Sequence, residues 1–222
     1  MNADTIIRDS CQTILFDLDG TLLDTTHLIL TTFEKVWQEH FGISFPYTQW
    51  NAALGRPLRV QFSDTTTDAD EIQILYNLYQ KYNTQLHDSL CKLFQGVMPM
   101  LEVLHTMMPL GIVSSKTSSV VHDGLRLFHL EQYFDVIIGA DDFPEHKPNP
   151  GPLLEALRRM NHASPDTAMY IGDSPADIQA GQRAGMLTGA ALWGPNERSA
   201  LLAERPAISF ETPHMIDSFF TS

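Results

Sequence analysis

The stretch Ile14-Leu15-Phe16-Asp17-Leu18-Asp19-Gly20-Thr21 constrains this chain more than any other. An apolar run leads straight into two acids spaced i, i+2, and then into a Gly-Thr turn. Side chains two apart on an extended backbone point the same way. Asp17 and Asp19 are therefore expected to face one small volume at the end of a buried strand. Two like charges so close are costly unless a cation or a shared proton compensates them. The pattern suits a hard divalent cation such as Mg2+, which takes oxygen ligands, or a carboxylate pair with split roles. Taken alone, Asp-Gly is also an ordinary turn signal.

The rest of the chain sets that strand in an alternating pattern. Thr13–Asp17 reads as a strand, and after Gly96 helices and strands take turns. Helices are expected over Pro99–Met107, Ser118–Phe128, Pro150–Met160 and Ala176–Ala184, the last stopped by Gly185. Strands are expected over Leu110–Val113, Val136–Ile138, Ala168–Ile171 and Leu187–Leu192. Such alternation predicts an α/β fold with a doubly wound parallel sheet covered on both faces. From Thr25 to about Gln95 the pattern is helical instead. Ile72, Leu75, Tyr79, Tyr82, Leu86 and Leu90 form the stripe of an amphipathic helix, with Asp68 as its N-cap and Glu71 as the reciprocal partner. An inserted all-helical subdomain over 25–95, within a core of 1–24 plus 96–222, is the expected organisation.

Charge and composition narrow the function. The 222 residues carry a formal net charge of −13, which argues against nucleic-acid and anionic-membrane binding. A small phosphorylated substrate needs only a few local cations and remains compatible. Cys11 and Cys91 are the two cysteines, with no C-x-x-C, so neither a zinc site nor a disulfide framework is indicated. No apolar run has membrane-spanning length, and Asp4, Arg8 and Asp9 interrupt any N-terminal signal. A cytoplasmic enzyme, monomer or homodimer, is expected.

Four chemically equipped stretches fall just after predicted strands, where open α/β sheets gather reacting groups. They hold Asp17 with Asp19; Ser114, Ser115 and Lys116; Lys147; and Asp173 with Asp177. Acids for a metal, hydroxyls for an anion and ammonium groups for charge are what phosphoryl transfer needs. Each has a plainer reading alone. Ser114 could cap a helix, Lys147 could be a solvated loop charge, and Asp173 and Asp177 could be an N-cap and a first-turn acid. Gly172-Asp173-Ser174-Pro175-Ala176 mimics a nucleophile elbow, but the elbow uses the N–H after the serine, and Pro175 has none.

Together these stretches resemble the haloacid-dehalogenase superfamily, in its phosphatase branch. Phe16-Asp17-Leu18-Asp19-Gly20-Thr21-Leu22 is similar to its first motif, Ser114 to the second, Lys147 to the third and Gly172-Asp173-Ser174-Pro175-Ala176-Asp177 to the fourth. The helical block sits where that family places its cap. The resemblance implies that Asp17 is the nucleophile and forms an aspartyl-phosphate, while Asp19 is general acid and base. It implies that Mg2+ is held by Asp17, the Asp19 main-chain carbonyl and Asp173, with Asp177 supporting that shell or orienting Lys147. Ser114, Ser115, Gly20 and nearby N–H groups would bind the phosphoryl, Lys147 would neutralise it, and Arg56 in Gly55-Arg56-Pro57 would reach the substrate's far end. Ser114-Ser115-Lys116 replaces the Thr-Asn-Lys frequent in phosphoglycolate phosphatases, and Ala176 replaces a frequent Asn. Lys81-Tyr82-Asn83 through His87-Asp88 resembles a branch that cleaves inorganic pyrophosphate. A phosphoglycolate-like monoester is the leading substrate class and pyrophosphate its rival. A sugar phosphomutase and an inactive, ligand-binding relative are the remaining alternatives.

Overall fold

The computed structural model describes residues 3–46, 56–161 and 164–222. Its centre is a parallel sheet of β1 (Thr13–Phe16), β4 (Leu110–Val113), β5 (Val136–Ile138), β6 (Ala168–Gly172), β7 (Leu187–Ala191) and β8 (Ile208–Phe210). The spatial order is β5-β4-β1-β6-β7-β8. β1 and β4 carry no polar alternation because both of their faces are buried. Ile14 and Phe16 join one core with α5 (Val97–Met107), α6 (Ser118–Leu127) and α10 (His214–Thr221). Leu15 points the other way, into a second core under α7 (Gly151–Arg159) and α8 (Pro175–Ala184). The doubly wound sheet is therefore present. Its order reverses at β1, which has β4 on one side and β6 on the other. A crevice beyond the carboxyl end of β1 follows from that reversal.

The predicted helices and strands of this core end within two residues of their observed limits. Gly185 does end α8, at φ +76°. The weaker helix and strand signals after Leu192 correspond to α9 (Arg198–Ala203), β8 and α10, while α1 (Ala3–Ser10) is a helix the sequence reading does not include.

Between β1 and α5 the chain forms α2 (Thr26–Phe41), α3 (Leu58–Ser63) and α4 (Ala69–Leu90). These helices enclose their own aromatic core of Phe33, Trp37, Phe45, Phe62 and Tyr79. Phe33 is the hub, with ring centroids 5.0 Å from those of both Phe45 and Tyr79. Such offset and edge contacts add to plain burial. Asp68 caps α4, accepting from the N–H groups of Asp70 and Glu71. The expected reciprocal bond from Asp68 N–H to Glu71 is replaced: Thr66 Oγ1 accepts that N–H at 3.2 Å, and Glu71 pairs with Thr66 and His40. Glu71 Oε1 meets His40 Nε2 at 2.9 Å and ties α4 to α2.

Two short strands went unforeseen. β2 (Leu23–Asp24) pairs antiparallel with β3 (Lys92–Leu93), matching Leu23 to Leu93 and Asp24 to Lys92. This ribbon brings the chain's departure into the helices and its return to the same place. No helix among the described residues is long and apolar enough to cross a membrane.

Candidate active site

β1 delivers the first acid directly. Asp17 N–H still donates to Ile171 O at 2.9 Å, so the residue stays locked beside β6. The backbone then turns through Gly20 at φ +78°, a conformation favoured by glycine. A Cβ on Gly20 would lie 2.4 Å from Asp173 Oδ2, so the turn also needs the missing side chain for space. Gly20 N–H donates to Leu23 O at 2.8 Å and closes the loop. Asp19 Oδ1 accepts from Thr25 Oγ1 at 2.6 Å and from Lys116 Nζ at 2.7 Å.

Lys147 is buried at the centre of the acids. Its Nζ lies 3.0 Å from Asp17 Oδ1, 2.6 Å from Asp177 Oδ1 and 3.0 Å from Tyr170 Oη. The Tyr170 hydroxyl also lies 2.9 Å from Val113 O, a link to β4. Asp177 Oδ2 accepts from Ser174 N–H at 2.9 Å and from its hydroxyl at 2.5 Å. Ser174 and Asp177 thus make a capping box at the start of α8. Ser174, not Asp173, is the N-cap, and its hydroxyl is spent on that role rather than on a nucleophile elbow. Asp173 is freed for the crevice, where Thr21 Oγ1 approaches Oδ1 at 3.3 Å and Asn196 Nδ2 donates to Oδ2 at 2.9 Å.

Ser114 ends β4, with its N–H on Ile138 O at 2.9 Å. Its hydroxyl accepts from Lys116 N–H at 3.2 Å. It does not cap α6; Thr117 holds that position, and Ser118 N–H is taken by Asp141 Oδ1 at 2.7 Å.

Burial pushes the Asp17 carboxyl up to about 7, against the pull of Lys147. Burial raises Asp173 well above the usual carboxylate range, helped by the charges of Asp177 and Asp17. Burial works against the Lys147 ammonium, but Asp17 and Asp177 outweigh it and hold it well above the ordinary lysine value. Asp17, Asp173 and Asp177 each offer an oxygen, all within 4.8 Å of one another. One ammonium cannot balance three carboxylates in so little space. Hard oxygen donors with surplus negative charge fit a metal ion. Asp177 is the most committed of the three, which leaves Asp17 and Asp173 as the better ligands.

A cavity of about 350 Å3 opens onto these groups. Of the residues singled out in sequence, Asp17, Asp19, Gly20, Ser114, Ser115, Asp173 and Arg56 line it. Lys147 and Asp177 lie behind Asp17, in contact with it or with each other. Arg56 stands on the helical wall, paired with Asp64 at 2.6 Å. Sequence reasoning missed Thr21, Tyr170 and Asn196, and it did not assign Lys116 to Asp19. The S-x-x-D spacing of Ser174 and Asp177 was the one readable sign of the capping box.

A buried carboxylate at the end of β1, paired with a buried lysine beside two more acids, defines a hydrolase of the haloacid dehalogenase type. The family model described as "Haloacid dehalogenase-like hydrolase" matches residues 14–191, and the chain belongs to that family. Pyrophosphatase PpaX of Bacillus mycoides is 33% identical over 88% of this chain and 90% of its own length. Pyrophosphatase PpaX of Halalkalibacterium halodurans is 34% identical over 80% and 81%. Among solved structures, a protein of Lactobacillus plantarum provisionally named a phosphoglycolate phosphatase superposes with a TM-score of 0.85. It shares 29% identity and covers 95% of this chain and 99% of its own.

Proposed function

We propose that this chain is a Mg2+-dependent phosphatase acting on a small phosphomonoester through an aspartyl-phosphate. Asp17 attacks phosphorus, and the ester P–O bond breaks as Asp19 gives a proton to the leaving oxygen. Asp19 then takes a proton from water as that water attacks phosphorus and frees Asp17. Lys147 sits against Asp17 and neutralises charge gathering on the transferred group. Asp177 and Tyr170 hold the ammonium in place, so they are positioning residues. Ser114, Ser115 and Gly20 border the space the phosphoryl group occupies. Asp17, the Asp19 carbonyl and Asp173 are the residues to hold Mg2+, which when bound lowers the repulsion between a carboxylate nucleophile and an anionic ester. Residues 25–95 act as a cap over a core of 1–24 plus 96–222. The cavity walls support this division, because Tyr79 and Asn83 of the helices line it with Asp17 and Asp19.

The observation that carries the reading is the Asp17–Lys147–Asp177 chain beneath one cavity that Asp173 also lines. The test is phosphate release from p-nitrophenyl phosphate with Mg2+. Asp17→Asn is expected to cut turnover by on the order of ten-thousandfold or more while the chain stays folded. Near-native turnover in that variant would end the mechanism. Phosphoglycolate is the reference monoester. A second reading, pyrophosphate hydrolysis, is favoured by the two PpaX relatives. Kinetics on both compounds separate the two readings.

A further inference from the structure

The two acids that follow β1 each have a lysine of their own. Lys147 meets Asp17 at 3.0 Å in the buried network. Lys116 meets Asp19 instead, with Nζ 2.7 Å from Oδ1, and both residues line the cavity. Lys116 belongs to the loop after β4, and its backbone is fixed on both sides. Its N–H donates to Ser114 Oγ at 3.2 Å, and its carbonyl accepts from Ala140 N–H at 2.7 Å. The long side chain therefore reaches Asp19 from an anchored starting point. Thr25 supplies the second donor, with Oγ1 2.6 Å from the same Oδ1. Thr25 stands at the N-cap of α2 but makes no side-chain cap bond there. A threonine in that position ordinarily serves its own helix; this one serves Asp19.

Both donors converge on one oxygen. Among the described residues no hydrogen bond reaches Asp19 Oδ2. The torsion that turns an aspartate's carboxyl plane is broad and soft by itself. Gripping Oδ1 from two directions removes that freedom and sets where Oδ2 points. An oxygen that already accepts two hydrogen bonds leaves the acid's own proton to its twin. An ammonium paired only for stability would be a weak explanation, because the two side chains are 16% and 23% exposed and such pairs contribute little.

We propose that Lys116 is a positioning residue acting through Asp19: it holds Oδ1, so that Oδ2 faces the leaving oxygen and carries the proton passed to it. As the ester P–O bond breaks, its electron pair stays with the leaving oxygen, which takes the Oδ2 proton. Lys116 keeps its own protons throughout. The inference rests on the phosphatase reading and adds to it a residue and an atom.

The test compares phenyl phosphate with p-nitrophenyl phosphate, with Mg2+. The two esters share charge and reacting group but differ in how much the leaving oxygen needs a proton, since phenolate is the stronger base. Lys116→Met is expected to lower kcat/KM for phenyl phosphate by about tenfold or more and for p-nitrophenyl phosphate by less than about threefold. The loss should lie in kcat, with KM moving less than about threefold. The melting temperature should stay within about 4 °C of the native one. Lys92→Met, which removes an exposed lysine of β3, controls for the lost charge and should leave both esters unchanged. Unchanged kinetics in Lys116→Met, or equal losses on the two esters, overturn the inference. A rise in KM at constant kcat also overturns it, by making Lys116 a contact to the substrate itself. The phosphatase reading fails separately, and takes the inference with it, if the native chain releases no Asp17-dependent phosphate from either ester.

Discussion

At the sheet end of the cavity, Asp177 accepts from Lys147, from Tyr170 and from both the main chain and hydroxyl of Ser174. On the helices, Asn83 Nδ2 and Gln61 Oε1 are buried without a hydrogen bond. The first wall is rigid because each side chain is held by another before any substrate arrives. Preorganised charge of that kind serves a step common to many substrates. The second region leaves two buried polar atoms unpaired, at a cost to the fold. On the proposed reading, the chemistry belongs to the strand ends, where the acids and Lys147 are held against one another.

Three changes test that contrast at the sheet end, taken from the largest effect to the smallest. Lys147→Met leaves Asp17 and Asp177 buried without their shared cation. Removing one partner of a buried ion pair costs about 3–5 kcal/mol. For a chain of this length that is about 10 °C in melting temperature. Calorimetry should show the drop, and turnover on any accepted ester should fall on the order of a thousandfold. A mild effect on both would mean that the sheet-end network is not preorganised by its lysine.

Gly20→Ala forces a side chain into a turn at φ +78° and against Asp173. The left-handed backbone alone costs about 1–2 kcal/mol. If Asp173 holds Mg2+ as proposed, displacing it should weaken metal affinity by about 10–100-fold, as losses of supporting contacts do. Titration calorimetry with Mg2+ measures this, and an unchanged affinity would remove Asp173 from the ligand set.

The third test uses pH. Burial raises the Asp17 carboxyl from 3.8 to about 7. Without metal, the folded chain keeps a proton there that the unfolded chain has already released. The stabilising effect is full below 3.8 and is lost as pH rises to about 7. A divalent cation bound at Asp17, as proposed, would take the proton's place, so the rise in melting temperature on adding Mg2+ should grow across this window and then level off. Asp17→Asn should flatten the curve. An Mg2+ effect independent of pH would place the ion away from Asp17.

The sheet was legible because its strands are short apolar runs followed at once by chemically distinct residues. Asp17, Ser114 and Asp173 could be placed at strand ends from that pattern, and the structure brings them to one cavity. Tyr170 was not legible, since inside β6 it reads as one more apolar residue while its hydroxyl works at Lys147. Asn196 and Thr21 reach Asp173 from loops, where no periodicity points a side chain anywhere. The β2–β3 ribbon has two residues on each side, too few to show alternation. Glu71 was assigned the Asp68 N–H, but Thr66 takes that N–H, and Glu71 pairs with Thr66 and with His40.

The pairing of Leu23 with Leu93 means that the chain leaves the core for the helices and comes back to it at one point. Those helices lie outside the sheet's strand order, so on the proposed division of cap and core they can differ without reordering the strands that carry the acids. A lineage built on this plan can refit its doorway to new guests while the engine behind it runs unaltered.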